Sequence, residues 1–316
     1  MLIVKVKTKR EVAEDICAFE LVNAEGNDLP PFTAGSHVDV HIPGSVIRQY
    51  SLCNSPVETG RYVIGVLKDP ASRGGSEAMH RLEEGTLLKI SEPRNHFPLT
   101  DGAGHSILLA GGIGITPLLS MAERMLQTGD SFELHYCARS RSKLAFFDQL
   151  TDAHIRSNVI FHLDSEPETA LDAATVLSRE TDRAPHVYVC GPGGFIDYIL
   201  GAARQAKYPE AQLHREYFAS VATPGGEEQS FDIQVASTGL VIQVSATESI
   251  VAALERHEID VPVSCEQGVC GTCLTRVKGG IPLHRDMFLT DEERLANDRF
   301  TPCCSRSLTP LLVLDL

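Results

Sequence analysis

The sequence predicts a multidomain protein in three parts: an all-β barrel, an α/β domain on a parallel sheet, and a small α+β domain. Three observations carry this reading. Short strand-like runs separated by turn residues fill residues 1–101, with no helical periodicity between them. From His105 onward, strand runs alternate with helical ones. Five of the nine cysteines then fall within 40 residues near the end of the chain. A length of 316 residues agrees with two or three compact units, at roughly 100–200 residues each.

In the first part the runs LIVKVK, CAFELV, HVDVHI, QYSLCN, YVIGVL and TLLKI alternate or are β-branched, and turns such as Ala24-Glu25-Gly26-Asn27 and Pro43-Gly44 separate them. Six strands at this spacing suit a small closed barrel. In the second part, residues 102–221, HSILLAGG ends in glycines and leads into LLSMAERML at helical spacing. SFELHYCA, a helix around Phe146 to Leu150, NVIFHLD, and HVYVCGP ahead of GFIDYILGAARQ continue the alternation. This βαβ pattern places a ligand beyond the carboxyl ends of the strands. A Pro-, Gly- and charge-rich stretch marks a linker at 222–229. The third part, 230–316, holds strands in SFDIQVA and GLVIQVSA, a helix in ESIVAALERHEI, the cysteine loop and a final strand in PLLVLDL.

Hydrophobic residues make up 43% and charged residues 22% of the chain, as in ordinary folded proteins. No apolar run reaches the roughly 18–20 residues that span a bilayer, and the start lacks the apolar block of a signal peptide. The expectation is a cytoplasmic protein without a membrane. The formal charge of -14 has the wrong sign for a nucleic-acid partner. Half of that excess sits in residues 227–316, which carry 14 acidic and 7 basic residues. Clustered cysteines in such a chain are metal or redox ligands rather than a disulfide framework.

Cys265, Cys270 and Cys273, followed by Cys303, fit the plant-type [2Fe-2S] spacing C-x4-C-x2-C…C. Gly268 and Gly271 let the loop fold tightly around inorganic sulfur. A structural zinc site is the other chemistry this spacing allows. Cys303 and Cys304 compete for the last position; Cys303 is favoured, and Cys304 is then a buried thiol. Gly111-Gly112-Ile113-Gly114-Ile115-Thr116-Pro117 closes a strand and opens a helix, a turn suited to a pyrophosphate. Val189-Cys190-Gly191-Pro192 ends the last parallel strand of the same sheet, although Cys190 taken alone reads as a packed core thiol rather than a reactive one. Arg48-Gln49-Tyr50-Ser51 and Arg73-Gly74-Gly75-Ser76 are weak signals individually.

Together and in this order, these motifs resemble the phthalate dioxygenase reductase family, which includes the reductases of vanillate demethylases. The match spans essentially the whole chain. The resemblance implies an FMN-binding barrel, an NADH-binding domain and a plant-type ferredoxin domain. By the same resemblance, Arg48, Gln49, Tyr50 and Ser51 form the flavin strand, with Ser51 near flavin N5. Gly65, Val66, Leu67 and Lys68 form the next flavin strand, and Arg73, Gly74, Gly75 and Ser76 the FMN phosphate site. Gly112, Gly114 and Thr116 take the nicotinamide nucleotide, and Cys190, Gly191 and Pro192 lie beside its ring. Ser51 and Cys190 are the residues nearest the hydride transfer. Phe218 is similar to an aromatic residue beside the flavin, a place Tyr217 could also fill.

The implied activity is passage of electrons from NADH through FMN and the [2Fe-2S] cluster to a Rieske-type aromatic oxygenase, by a monomeric reductase. Nicotinamide gives two electrons as hydride and the cluster accepts one at a time, so a flavin between them removes the mismatch. Arg139, with Arg141 and Lys143, follows the second strand of the sheet and suits a 2′-phosphate, leaving NADPH open. An FAD-containing reductase and a non-enzymatic redox sensor are the other readings.

Overall fold

The computed structural model describes residues 1–42, 46–70, 72, 74–178, 185–218 and 229–316. Arg73, and all of the expected linker except Gln229, lie outside them. The chain divides into two compact units, Met1–Glu216 and Tyr217–Leu316.

The first unit opens with β1 (Leu2–Ala13), β2 (Ile16–Asn23), β3 (Ser36–Ile42), β4 (Val46–Ser51), β5 (Tyr62–Leu67), α1 (Gly75–Arg81), β6 (Leu87–Ile90) and the short β7 (Arg94–Asn95). The strands run in the order β4-β3-β6-β1-β2-β5, and a bridge between Leu52 and Ile64 joins the two ends into a closed barrel. Alternation does the work here. Val4 and Val6 of β1 point inward with Phe19, Leu21, Val38, Val40 and Ile64, while Ile3 and Lys5 face out. All six expected strands form.

The same unit continues with β8 (Ser106–Gly111), α2 (Ile115–Thr128), β9 (Phe132–Ala138), α3 (Phe147–Thr151), β10 (Val159–Leu163), α4 (Ala173–Leu177), β11 (His186–Gly191), α5 (Gly193–Gln205) and β12 (Leu213–Tyr217). Their order is β10-β9-β8-β11-β12, with β8, β9, β10 and β11 paired in parallel. Every residue of β8 is buried, as a strand covered on both faces requires. The strand order reverses direction about β8, so the crevice beyond its carboxyl end, between β8 and β11, is where such a sheet takes a ligand. Barrel and sheet share one core: Ile16, Ala18, Cys53 and Phe97 pack with Leu108, Leu118 and Met121. The β12 strand was not expected from the sequence.

The second unit contains β13 (Phe231–Val235), β14 (Val241–Val244), α6 (Ile250–Glu255), β15 (Thr275–Gly279), β16 (Pro282–Leu283), α7 (Asp291–Ala296), β17 (Arg299–Phe300), β18 (Arg306–Ser307) and β19 (Leu311–Leu314). Its five-stranded sheet runs β14-β13-β19-β15-β17, with β13 parallel to β19 and antiparallel to β14. Ile250, Ala253 and Leu254 of α6 pack on Ile233, Ile242, Leu312 and Leu314. The helix expected over Glu248–Ile259 ends four residues sooner, at Glu255, and Glu258 at φ 58° prevents its continuation. No described helix is long and apolar enough to cross a membrane.

Candidate functional site

The expected flavin strand β4 lies beside α1. A Cβ placed on Gly75 would meet Arg48 Nε at 2.8 Å, so the guanidinium lies directly over the first residue of the helix. Arg48 itself is anchored by Nη1 donating to the Ile47 carbonyl at 2.8 Å. Ser76 Oγ accepts from the Asp69 amide at 3.1 Å, and the Gly74 amide donates to Ser72 Oγ at 3.1 Å. This donor-rich corner suits the phosphate of a mononucleotide. Burial pushes the Tyr50 phenol above its ordinary range, so it stays a neutral hydroxyl. The Gln49 amide donates to Asp39 Oδ1 at 2.9 Å and lies 3.3 Å from His37 Nε2, on β3. On β5, Val66 points into the barrel core and Leu67 is partly exposed, while the Lys68 amide donates to the Asp15 carbonyl at 2.7 Å.

Strand β5 meets the glycine turn of the parallel sheet at Gly65. A Cβ there would lie 2.8 Å from Thr116 Cγ2 and 3.4 Å from Ile113 Cδ1. The strand expected to hold flavin and the turn expected to hold the nucleotide therefore touch, and only glycine permits it. Thr116 Oγ1 donates to the Ile113 carbonyl at 3.0 Å, closing the turn on itself. Gly112 has φ 55° and nothing within 4 Å of its Cβ position, so the turn is open on that side. Gly114 faces the other way: its Cβ would meet the Cys190 carbonyl oxygen at 2.2 Å and the Gly191 amide nitrogen at 2.7 Å. Gly191 is also tightly placed, its Cβ position 3.0 Å from the Gly111 Cα. Pro192 and Phe195 close over Gly111.

Cys190 is fully buried, and burial first, then the nearby Glu216 carboxylate, holds its thiol protonated well above the ordinary range. Ser51 at the end of β4 donates to Glu216 Oε2 at 3.3 Å. Burial pushes the Glu216 carboxyl up to about 8, against the opposing pull of the Ser51 hydrogen bond. At neutral pH these three groups, an acid, a hydroxyl and a thiol, are therefore all uncharged. Glu216 is the residue the sequence reading missed. Its signal was present: an acidic side chain at the carboxyl end of a strand run, Leu213-His-Arg-Glu-Tyr. Phe218 follows β12 and is 37% exposed, while Tyr217 is buried.

The cations expected to face a 2′-phosphate are largely engaged elsewhere. Lys143 Nζ sits 3.1 Å from Glu14 Oε1 and 2.7 Å from Asp15 Oδ2, and Ser142 Oγ donates to Glu14 at 2.9 Å. The Arg141 guanidinium lies over the Phe147 ring, 5.5 Å from its centre. Arg139 remains exposed. Asp164, whose amide donates to the Ala138 carbonyl at 3.0 Å, brings a carboxylate to the same end of the sheet.

In the second unit the cysteine loop pairs its thiols. Cys265 lies against Cys270, and Cys273 against Cys303, which also touches Cys304. Each contact pulls one thiol of the pair, Cys270 or Cys273, below the ordinary range and pushes its partner, Cys265 or Cys303, above it. The Gln267 amide donates to Cys265 Sγ at 3.3 Å and the Thr272 amide to Cys270 Sγ at 3.4 Å, so backbone N–H groups already point at sulfur. Two thiol pairs with N–H groups turned inward fit two irons with two thiolates each. Cys304, beside Cys303, lies 3.3 Å from Thr301 Oγ1 and against Gly268, whose Cβ would meet its sulfur at 2.4 Å.

Comparison with known proteins agrees at both ends of this geometry. The profile of the 2Fe-2S iron–sulfur cluster binding domain matches residues 233–308, and that of the oxidoreductase NAD-binding domain matches residues 108–200. The chain is 53% identical to the vanillate O-demethylase oxidoreductase of Pseudomonas putida over 98% of both chains. It is 40% identical to the phthalate dioxygenase reductase of Burkholderia cepacia, over 99% of this chain and 96% of that one. A solved structure of phthalate dioxygenase reductase, described as modular for electron transfer from pyridine nucleotides to [2Fe-2S], superposes with a TM-score of 0.79 at 40% identity. It covers 100% of this chain and 98% of that one.

Proposed function

The chain belongs to the phthalate dioxygenase reductase family, and from that premise we propose that it draws electrons from NADH and delivers them to a Rieske-type oxygenase acting on an aromatic acid. The single observation that carries the reading is the contact at Gly65, which joins a barrel strand to the nucleotide turn within one compact unit. When bound, FMN and the [2Fe-2S] cluster supply the conversion of a two-electron hydride donor into a one-electron output.

The chain's own residues arrange that conversion. Gly112 leaves the turn open for a pyrophosphate, beside the positive end of α2, a 14-residue helix whose dipole favours an anion there. Thr116 and Ile113, seated against Gly65, set how closely the nicotinamide and flavin positions approach. Glu216 keeps its proton at neutral pH and fixes the Ser51 hydroxyl at 3.3 Å, so neither opposes nearby charge as electrons arrive. Arg48 and the α1 start hold the FMN phosphate, together with Gly74, Gly75, Ser76 and, outside the described residues, Arg73. Cys265, Cys270, Cys273 and Cys303 hold the irons.

NADH is the donor: Lys143 is neutralised by Glu14 and Asp15, and Asp164 at the same sheet edge favours ribose hydroxyls over a phosphate. Two nucleotide-binding layers have no purpose in a redox sensor. Both cofactor sites are built from one chain, consistent with a monomer, and reduced cysteines with an NADH supply suit the cytoplasm. The names of the relatives point to vanillate as the oxygenase's substrate. The test mixes the purified protein with a vanillate demethylase oxygenase component, NADH and vanillate. Coupled loss of NADH and vanillate is expected; reduction of cytochrome c by NADH with no reduction of the oxygenase overturns the assignment.

A further inference from the structure

Beneath the cysteine loop lies a buried polar group that no step above uses. Asp286 has a side chain with no exposed surface. Its Oδ2 accepts the amides of Phe288 at 3.2 Å and Leu289 at 2.7 Å, and its Oδ1, without a hydrogen-bond partner, faces His284 Nδ1 at 3.6 Å. Arg294 of α7 donates to the Asp286 carbonyl, with Nη2 also 4.0 Å from Oδ2. A buried carboxyl group is costly unless hydrogen bonds and neighbouring charge compensate it, and here two backbone amides and Arg294 do so.

Its structural task is visible in what the segment 284–289 covers. A Cβ on Gly268 would meet the Asp286 Cα at 2.9 Å, and the Met287 amide donates to the Gly268 carbonyl at 2.9 Å. One residue on, the Phe288 ring lies against Gly271, whose Cβ would be 2.3 Å from Cζ. Gly268 at φ 72° and Gly271 at φ 67° are the two positive-φ glycines that let the loop turn between its cysteines. The segment thus lies across the loop at both of its turning points. The carboxylate of Asp286 fixes the segment's own turn, and Arg294 ties it to α7.

We propose that Asp286 is a positioning residue for the iron–sulfur loop: by holding residues 284–289 across Gly268 and Gly271, it keeps the four thiolates in their cluster-holding arrangement. The proposal rests on the iron–sulfur reading of that loop. Hydrogen-bond acceptance is what the loop needs from it, so Asp286→Asn supplies the role: its amide oxygen takes the Phe288 and Leu289 N–H groups, while its NH2 turns to His284. Asp286→Ala removes it and leaves both amides buried without partners.

The test follows loss of the iron–sulfur absorbance under excess chelator, with bound flavin as the internal standard for intact protein, and deuterium exchange at the Met287 amide. Asp286→Ala is expected to lose the cluster about tenfold faster and to exchange the amide faster, while Asp286→Asn stays within about threefold of wild type. Arg294→Gln, a milder change at the outer end of the same tie, falls between them and serves if the alanine variant does not fold. Wild-type protein without the iron–sulfur absorbance overturns both the cluster and the proposal. Wild type with that absorbance, but with Asp286→Ala and Arg294→Gln losing it at the wild-type rate, overturns the role of Asp286 alone. An asparagine variant as labile as the alanine one does the same, because charge rather than position is then at work.

Discussion

Glu216→Gln should flatten the protein's stability between pH 5.5 and 8.5. The folded carboxyl releases its proton near 8 and the unfolded one near 4.5, so between those values the unfolded chain binds fewer protons. Stability contributed by the neutral acid is therefore complete below pH 4.5 and is lost as pH rises through 8. At about 1.36 kcal/mol per pH unit, the wild type loses about 3 kcal/mol between pH 5.5 and 8.5 from this group alone. For a unit of this size that is a fall in Tm of about 6–12 °C. Glutamine keeps the acceptor for Ser51 and cannot ionise, so the variant should show that much less decline. Burial holds His37 and His214 down at about 4, and they act only below pH 6.5, equally in both proteins. Thermal melts read by flavin fluorescence at the two pH values decide it. Parallel declines in wild type and variant would mean that Glu216 is ionised in the folded protein, and that the charge-free reading of the site is wrong.

Gly114→Ala should destabilise the first unit by about 1–3 kcal/mol, since its Cβ would collide with the Cys190 carbonyl group. Gly112→Ala has room and should chiefly raise KM for NADH; a Tm loss as large as that of Gly114→Ala would contradict the open turn. Single serine replacements of Cys265, Cys270, Cys273 or Cys303 should abolish the iron–sulfur absorbance while NADH still bleaches the flavin, and Cys304→Ser should retain it. The reverse result for positions 303 and 304 transfers the ligand role to Cys304. Stopped-flow electron transfer to the oxygenase should slow as salt rises and exposed charges become screened beyond about 8 Å. Replacing the exposed Glu266 with Lys should slow that step too, and a rate flat with salt would assign docking to apolar contacts.

Much of this architecture was legible because period and punctuation agreed. Alternation in LIVKVK and HVDVHI is the barrel's inside and outside, and the buried run SILLAG is a strand covered on both faces. The cysteine spacing was legible because iron ligation ties function to fixed intervals along the chain. What escaped were features made by distant residues meeting. Glu216 and Ser51 are 165 residues apart, and nothing local marks either as the other's partner. Lys143 read as a free cation because Glu14 and Asp15, which neutralise it, sit in the turn between β1 and β2. Asp286 read as one more charge of an acidic module, although its side chain is buried beneath the loop.

The most direct test of the central claim is an anaerobic titration of the purified protein with NADH, following flavin and iron–sulfur absorbance together. Two electrons fill the flavin and one fills the cluster, so both should bleach with an endpoint near about one and a half NADH per chain. An endpoint at about one NADH, with the flavin reduced and the cluster still oxidised, would contradict transfer from nicotinamide to iron through this chain.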